Sequence, residues 1–471
     1  MSGYYGFSSS GGGGGGGTSS LFNDLFPTEG TAAGFTDGTY LRPAKVHDLD
    51  TSGTNEFNIG VNLRSYGNGQ SKEIGVNSNP LTVNFPSSYY NFYKQFSPNE
   101  FTEVDIHQPY QINSYIYSNR TSSGGLVNYL TSTGSIGLST NTSNGSLSEI
   151  RTNQFYRLQL GKISIIRQSL LFSSSGTNNT TKFGLFDDSY GFYFKVSNSV
   201  FSVGFIDTMS SGITNEFSNS SFNYDKLDGS GPSGLILDLT KYNLYEIRVA
   251  WHGILNLQFF VNGNLCHTFN IQNISIKPIL QINKLPISVR LENTAGSTAT
   301  SVEYNSASIL IQNGANSVGN TFSISNSNKK SIKTEYPLLS IRLKSTINTI
   351  TNRLVVVPKL LNLYNTKHRV KYRLILNPTL TGSSFTDVNV NSGTQYDESA
   401  TSLSGGEEIY CSYLCNDNDC INLDLNNIFN LYKKNIKQNA FGTSVDILTI
   451  SVESEVNGFA SVSSTILWDE V

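Results

Sequence analysis

Charge is scarce in this sequence: 32 Lys and Arg and 35 Asp and Glu amount to 14% of 471 residues, and the formal net charge is -3 with five His counted neutral. Globular proteins ordinarily carry about a quarter charged residues. A surface for nucleic acid needs clustered Lys and Arg to neutralise phosphates, so nucleic acid is not an expected partner. Cysteine is sparse too, and four thiols are too few for a disulfide scaffold. Met1 to Ser10 has neither the basic start nor the apolar stretch of an export signal, so the thiols are expected to be reduced. No apolar run approaches the 18 or so residues a membrane span requires, and no span is expected. Met and Trp occur twice each.

What is abundant is Gly (42), Phe (27) and Tyr (25), with Ser, Thr and Asn filling the polar positions. Aromatic and β-branched residues suit pleated strands, and Gly and Asn suit the turns between them. A chain of 471 residues exceeds one compact core, and the composition predicts several β domains.

The run Gly11 to Gly17 cannot bury side chains, so residues 1–34 read as a flexible Gly/Ser-rich arm. Residues 35–110, punctuated by Pro80, Pro86, Pro98 and Pro109, read as a small N-terminal region. From 111 to 313 alternation is clear. Phe192, Phe194 and Val196 stand against Tyr193 and Lys195, and Tyr245, Ile247, Val249 and Trp251 against Glu246, Arg248 and Ala250. Asn262-Gly263, between two alternating runs, predicts a type I′ hairpin. Residues 314–335 are rich in Ser and Asn and read as a linker, and strand patterning resumes over 336–471. The predicted fold is all-β: tandem antiparallel β-sandwich domains of jelly-roll or concanavalin-like type on a flexible arm. Leu425 to Gln438, with Ile428, Leu431, Tyr432 and Ile436 at helical spacing, is the one candidate helix, against its four Asn.

Constellations for chemistry are few. Glu103-Val104-Asp105-Ile106-His107-Gln108 resembles the Glu-x-Asp-x-x-Glu strand of concanavalin-like glycoside hydrolases, but Gln108 stands where the acid/base carboxylate belongs. Gln cannot shuttle a proton, so half of a retaining mechanism is missing. Cys411, Cys415 and Cys420 with Asp417 and Asp419 offer thiolates and carboxylates at no recognised zinc or calcium spacing. Ser233 lies outside a nucleophile-elbow frame, and Gly11 to Gly17 lacks the Lys-Ser/Thr ending of a phosphate loop. No enzyme, cofactor or metal is expected. Trp251-His252-Gly253 reads either as a sugar-stacking platform or as a Trp capping the core. Lys367, His368, Arg369, Lys371 and Arg373 form a local basic cluster, read as a solvated or interface face.

From 111 to 471 the sequence resembles virion structural proteins of tailed bacteriophages, the capsid, head-fibre and tail-fibre group. The resemblance rests on Phe183-Gly184-Leu185-Phe186-Asp187-Asp188 with Gly191-Phe192-Tyr193-Phe194, on Asp225 to Gly234 leading into Leu237-Asp238-Leu239-Thr240-Lys241, and on Val249-Ala250-Trp251-His252-Gly253. Leu285-Pro286-Ile287 and the closing Leu467-Trp468-Asp469-Glu470 complete it. It implies a particle component assembled in the host cytoplasm, a homo-oligomer among other virion proteins, with no catalytic residues. Under that expectation Tyr4, Tyr5, Phe22 and Phe26 attach the arm to the particle. The alternative is a carbohydrate-binding receptor for a host surface glycan, with a shallow groove near Tyr190, Asp228 or Trp251. Many copies on one particle make weak glycan contacts useful.

Overall fold

The computed structural model describes residues 100–471, apart from 174–175, 209–211, 272–276, 296–297, 313–318, 327–329, 430–433 and 457–458, together with one N-terminal hairpin. In that hairpin Leu63–Gly67 pairs antiparallel with Gln70–Ile74. Tyr4, Tyr5, Phe22, Phe26 and the Gly-rich run lie outside the described residues.

From residue 100 onward the chain forms two antiparallel β-sandwiches. One sheet of the first has seven strands, in the order Ile213–Ser218, Val200–Asp207, Tyr190–Ser197, Asn179–Phe186, Ile287–Asn293, Ser146–Thr152 and Tyr117–Ser122. The facing sheet has eight. Its path runs Asn264–Ile271, Leu255–Val261, Asn243–Trp251, Ile163–Phe172, Thr300–Gln312, Ser135–Thr140 and Leu126–Leu130, and Glu100–His107 pairs with the far half of Thr300–Gln312. Alternation dictates this core. Phe183, Phe192, Phe194, Val203, Phe205 and Val289 point in from one sheet and meet Tyr245, Ile247, Leu257 and Phe259 of the other, all at most 1% exposed. Rings cross the layer, with Phe183 4.7 Å from Tyr245 and Phe194 5.2 Å from Phe259. The Asn262-Gly263 turn has φ of 48° and 78°, as a type I′ hairpin requires.

The outer side of the seven-stranded sheet is less open than alternation suggests. Tyr193 lies over Gly204, where a Cβ would fall 2.5 Å from its ring, with the Lys182 ammonium 4.5 Å from the ring centroid. Its hydroxyl donates to Glu216 at 2.8 Å, and the side chain is buried although it faces away from the core. The absent side chain at Gly204 makes room for it.

The second sandwich pairs a five-stranded sheet built around Ala460–Glu470 and Val356–Asn365 with a six-stranded sheet built around Tyr336–Leu343, Ile447–Ser454 and Val370–Leu376. Leu361, Leu363, Tyr372, Leu374, Ile450, Ile466 and Trp468 form its core. The boundaries differ from the sequence expectation in two places. Glu100–His107 already belongs to the first sandwich. Residues 314–335 are not only a linker, since Asn320–Ser325 and Lys330–Ile332 both pair with Ala460–Glu470. Phe322 and Ile324, two residues apart, suffice for an outer strand, and Phe322 packs 6.5 Å from Trp468. The candidate helix is absent among the described residues of 425–438. Leu425 and Phe429 open a turn into the core, and Ile436 forms a bridge to Val356.

The two sandwiches meet along a polar seam. Arg353 of the second pairs with Asp187 of the first and donates to the Lys284 carbonyl at 2.7 Å. The Lys284 ammonium in turn donates to the Val471 carbonyl at 2.7 Å. At the other side Tyr115 donates to Glu407, which also pairs with Lys434.

Candidate functional site

Two contiguous cavities open along this seam and share Ser114, Ser118 and Asn439. The larger, about 600 Å³, has a floor from the first sandwich, Ile112 and Tyr117 to Thr121, and a roof of Asn439, Phe441 and Thr443. The smaller, about 320 Å³, lies between Ser114, Tyr115, Ser118 and Asn153 below and Lys437, Gln438, Asn439, Ser444 and Asp446 above, with Asn377 beside them.

The roof is a short hairpin. Asp446 N–H donates to the Lys437 carbonyl at 2.9 Å, Asn439 N–H to the Ser444 carbonyl at 2.9 Å, and Gln438 bridges Val445. Its tip is closed by Asn439, whose Oδ1 accepts the Thr443 and Ser444 N–H groups, and by Gly442 at φ 71°. The hairpin is pinned to the first sandwich at Asn153. That side-chain carbonyl accepts the Ala440 N–H at 3.2 Å and the Ser118 hydroxyl at 2.6 Å, while its amide donates to the Ser114 carbonyl at 2.8 Å. Phe441 sits with the Arg120 and Arg151 guanidiniums each 5.0 Å from its ring centroid.

Those arginines belong to a charge network on the outer side of the seven-stranded sheet. Glu149, wholly buried, accepts from Arg120 at 2.6 Å and Arg151 at 2.7 Å. Asp188 accepts from Arg151, Arg120 and Arg290 at 2.8 to 3.2 Å. Burial alone would raise the Asp188 carboxyl, but Arg151 and Arg120 outweigh it and hold it below the usual carboxylate range. Tyr117 shares its hydroxyl with Tyr304 at 2.9 Å, and burial pushes it well above the usual phenol range. In the smaller cavity burial lowers the Lys437 ammonium to about 8 and raises the Asp446 carboxyl.

The residues expected from sequence lie elsewhere. Tyr190 is 4% exposed and part of the first core, with Arg353 5.8 Å from its ring centroid, so it offers no open groove. Asp228 is exposed, and its carboxylate is spent on its own turn, accepting the Ser230 N–H at 2.9 Å. Trp251 is half-buried against the core and donates its indole N–H to the Ile279 carbonyl at 2.7 Å, which makes it a cap rather than a platform. No hydrogen bond or ring contact among the described residues joins the three.

Gln108 is buried, and its Oε1 accepts the Asn113 N–H at 3.0 Å, a structural role. Asp105 lines a separate cavity of about 270 Å³ with Arg167 and Gln168. Cys411, Cys415 and Cys420 are exposed thiols. Asp419 accepts the Cys415 N–H and Asp417 the His368 N–H, so both carboxylates build turns. Among the described residues no group of three or more His, Cys, Asp and Glu is placed to hold a metal ion. Of the basic cluster, Arg373 pairs with Glu335 and Glu408, and Arg369 lies 4.5 Å from the Tyr413 ring centroid.

No family model and no curated sequence matches the chain. Its β-sandwich is similar to several solved structures. One comes from work on endo-acting O-glycanases with which human gut bacteria initiate mucin breakdown; it is 9% identical, covers 45% of this chain and 99% of that one, and has a TM-score of 0.34. The Emp47p carbohydrate recognition domain is 11% identical over 47% of this chain and 99% of its own, with a TM-score of 0.30. A glycosyl hydrolase family 16 protein of Mycobacterium smegmatis is 6% identical over 44% of this chain and 100% of its own, at 0.32. Glycan-cleaving proteins thus stand beside a recognition domain in the same set. Among the similar structures are a glucuronan lyase and a glycosyl hydrolase, and the expectation that the chain is not an enzyme is withdrawn.

Proposed function

We propose that this chain is a carbohydrate-binding protein whose ligand lies in the seam between the two sandwiches. The observation that carries the reading is the lining of that cleft. Asn119, Thr121 and Thr443 present hydroxyl and amide groups beside the rings of Tyr115 and Phe441, over two joined cavities of about 600 and 320 Å³. Ligand sites typically measure about 300–1,000 Å³ and combine apolar walls with a few placed polar groups. Sugars need that mixture, since their hydroxyls both donate and accept while their C–H faces pack on aromatic rings. Tyr115 is 42% exposed, so an aromatic surface is open to a ligand. A cleft between rigid sheets, pinned through Asn153, also binds without a large ordering cost.

The test is an array of host-cell and bacterial-surface glycans probed with the full chain, then with Tyr115→Ala, Asn119→Ala and Thr443→Ala. The reading requires at least one glycan bound by the wild type and weakened tenfold or more by these variants. Binding indifferent to all three would move the site elsewhere, and a blank array would remove the reading.

The resemblance to tailed-phage virion proteins supplies a location for such a receptor, the outside of a particle. Peptide mass spectrometry of purified particles from a producing host tests it: peptides of this chain at structural-protein abundance support it, and their absence refutes it.

A further inference from the structure

The cavity of about 270 Å³ at Asp105 lies away from the seam, on the outer side of the eight-stranded sheet. Strand register builds it. Ser308 stands opposite Asp105 on one side and Arg167 on the other, Ser306 stands opposite Ser169, and Leu310 opposite Thr102. Directly opposed residues share a face, with Cβ atoms about 4.5–5.5 Å apart. Ile106, Ile166, Leu170 and Ile309, which alternate with them on the same strands, belong to the core, so this row faces outward.

Its polar groups are unspent. The Asp105 carboxylate is exposed and has no hydrogen-bond or ion-pair partner among the described residues. The hydroxyls of Ser169, Ser306 and Ser308 are equally unpartnered, and although these residues are half-buried, none of the three oxygens is sealed from solvent. Arg167 is not the counterion of Asp105: it pairs with Glu246 at 2.5 Å, both side chains 5% exposed, and Glu246 also takes Arg248 at 2.6 Å. The cavity therefore holds one anion without a counterion, a set of hydroxyl oxygens, and the apolar side chains of Leu244 and Leu310.

We propose that this cavity binds a primary alkylammonium, the end of a free polyamine, with the ammonium on Asp105 and the serine hydroxyls and the methylene stem along Leu310 and Leu244. An ammonium has three donors and no acceptor, which matches one carboxylate flanked by hydroxyl oxygens. A divalent metal fits worse, since calcium takes about six to eight oxygen ligands and the cavity offers a single free carboxylate. A sugar fits worse too, because no aromatic ring among the described residues lines the cavity to receive its C–H face. Ligand sites usually span about 300–1,000 Å³, and a cavity just under that range suits one narrow chain.

The experiment is calorimetric titration of the full chain with putrescine and with the matching butanediol, which keeps the stem and lacks the charge, at low ionic strength, where an exposed pair is least screened. We expect putrescine to bind at least tenfold more tightly than the diol, and Asp105→Asn to weaken it at least fivefold. Ser308→Ala should weaken it by a smaller factor. Asp105 and Ser308 have no side-chain partners to lose, so both variants should keep the wild-type unfolding midpoint. Asp238→Asn, at an exposed carboxylate elsewhere, should leave binding unchanged. Equal binding of amine and diol, or no binding of putrescine, overturns the inference. Equal losses in Asp105→Asn and Asp238→Asn also overturn it, because they would mean general attraction to an acidic chain. None of these outcomes bears on the seam, whose cavities share no lining residue with this one.

Discussion

Asn153 Oδ1 accepts the Ala440 N–H at 3.2 Å, and through that one bond a loop of the C-terminal sandwich becomes the roof of a cleft whose floor is the N-terminal sandwich. The same oxygen takes the Ser118 hydroxyl from the floor itself. Asn153→Ala strands two donors, and each buried unsatisfied donor costs about 1–3 kcal/mol. The expected outcome is a loss of about 2 kcal/mol in urea unfolding, together with weaker saccharide binding, because the roof is no longer held over the floor.

Arg353 is the second tie across the seam, pairing with Asp187, whose side chain is 8% exposed. Removing one partner of a buried pair costs about 3–5 kcal/mol, because the other charge stays buried alone. Asp187 also accepts the Ser189 and Tyr190 N–H groups at 2.8 Å each, which softens the loss. Arg353→Met is expected to cost about 3 kcal/mol. Adding Asp187→Asn to it should cost less than the sum of the two single changes in a double-mutant cycle.

Glu470, one residue from the end of the sequence, organises the loop at 392–394. It accepts the Ser392 hydroxyl at 2.5 Å, the Gly393 N–H at 2.8 Å and the Thr394 hydroxyl at 2.7 Å. Glu470→Ala leaves several donors without an acceptor, and a loss of about 3 kcal/mol in chemical denaturation is expected. Glu470→Gln keeps one acceptor oxygen and should lose less.

Stability should have an alkaline maximum. Burial lowers Lys284 and Lys437 to about 8, against about 10.4 in an unfolded chain. Between those values the unfolded state binds more protons, so stability rises with pH from about 8 to about 10. Tyr304 and Tyr372 are pushed up to about 12 by burial, so above pH 10 the folded state binds more protons and stability falls. Unfolding midpoints measured from pH 7 to 11.5 should peak near pH 10. A monotonic fall from pH 7 would contradict the burial of these two lysines.

Much of the fold was legible in the sequence, and little of the site. Strict alternation at Phe192, Phe194 and Val196 and the Asn262-Gly263 pair marked strands and a hairpin, because period-two burial and positive φ leave local signatures. The edge strand Asn320–Ser325 was hidden, since an outer strand needs only Phe322 and Ile324 and otherwise looks like a linker. The burial of Tyr193 on the outer side of its sheet was not legible, because its cover comes from Gly204, Lys182 and Glu216 on three other parts of the chain. The seam is the extreme case. Ser118 and Phe441 lie more than 300 positions apart, and no local pattern in either segment announces the other. The residues that did carry local signals, Trp251 and Asp228, were bound to a carbonyl and to their own turn.

Hydrogen–deuterium exchange of the full chain, with and without a saturating saccharide from the array, tests the central claim most directly. The account predicts slowed exchange confined to residues 112–121 and 437–446, the floor and roof of the cleft. Protection at 226–236 or around Trp251 instead, or no protection in either half of the seam, would contradict it.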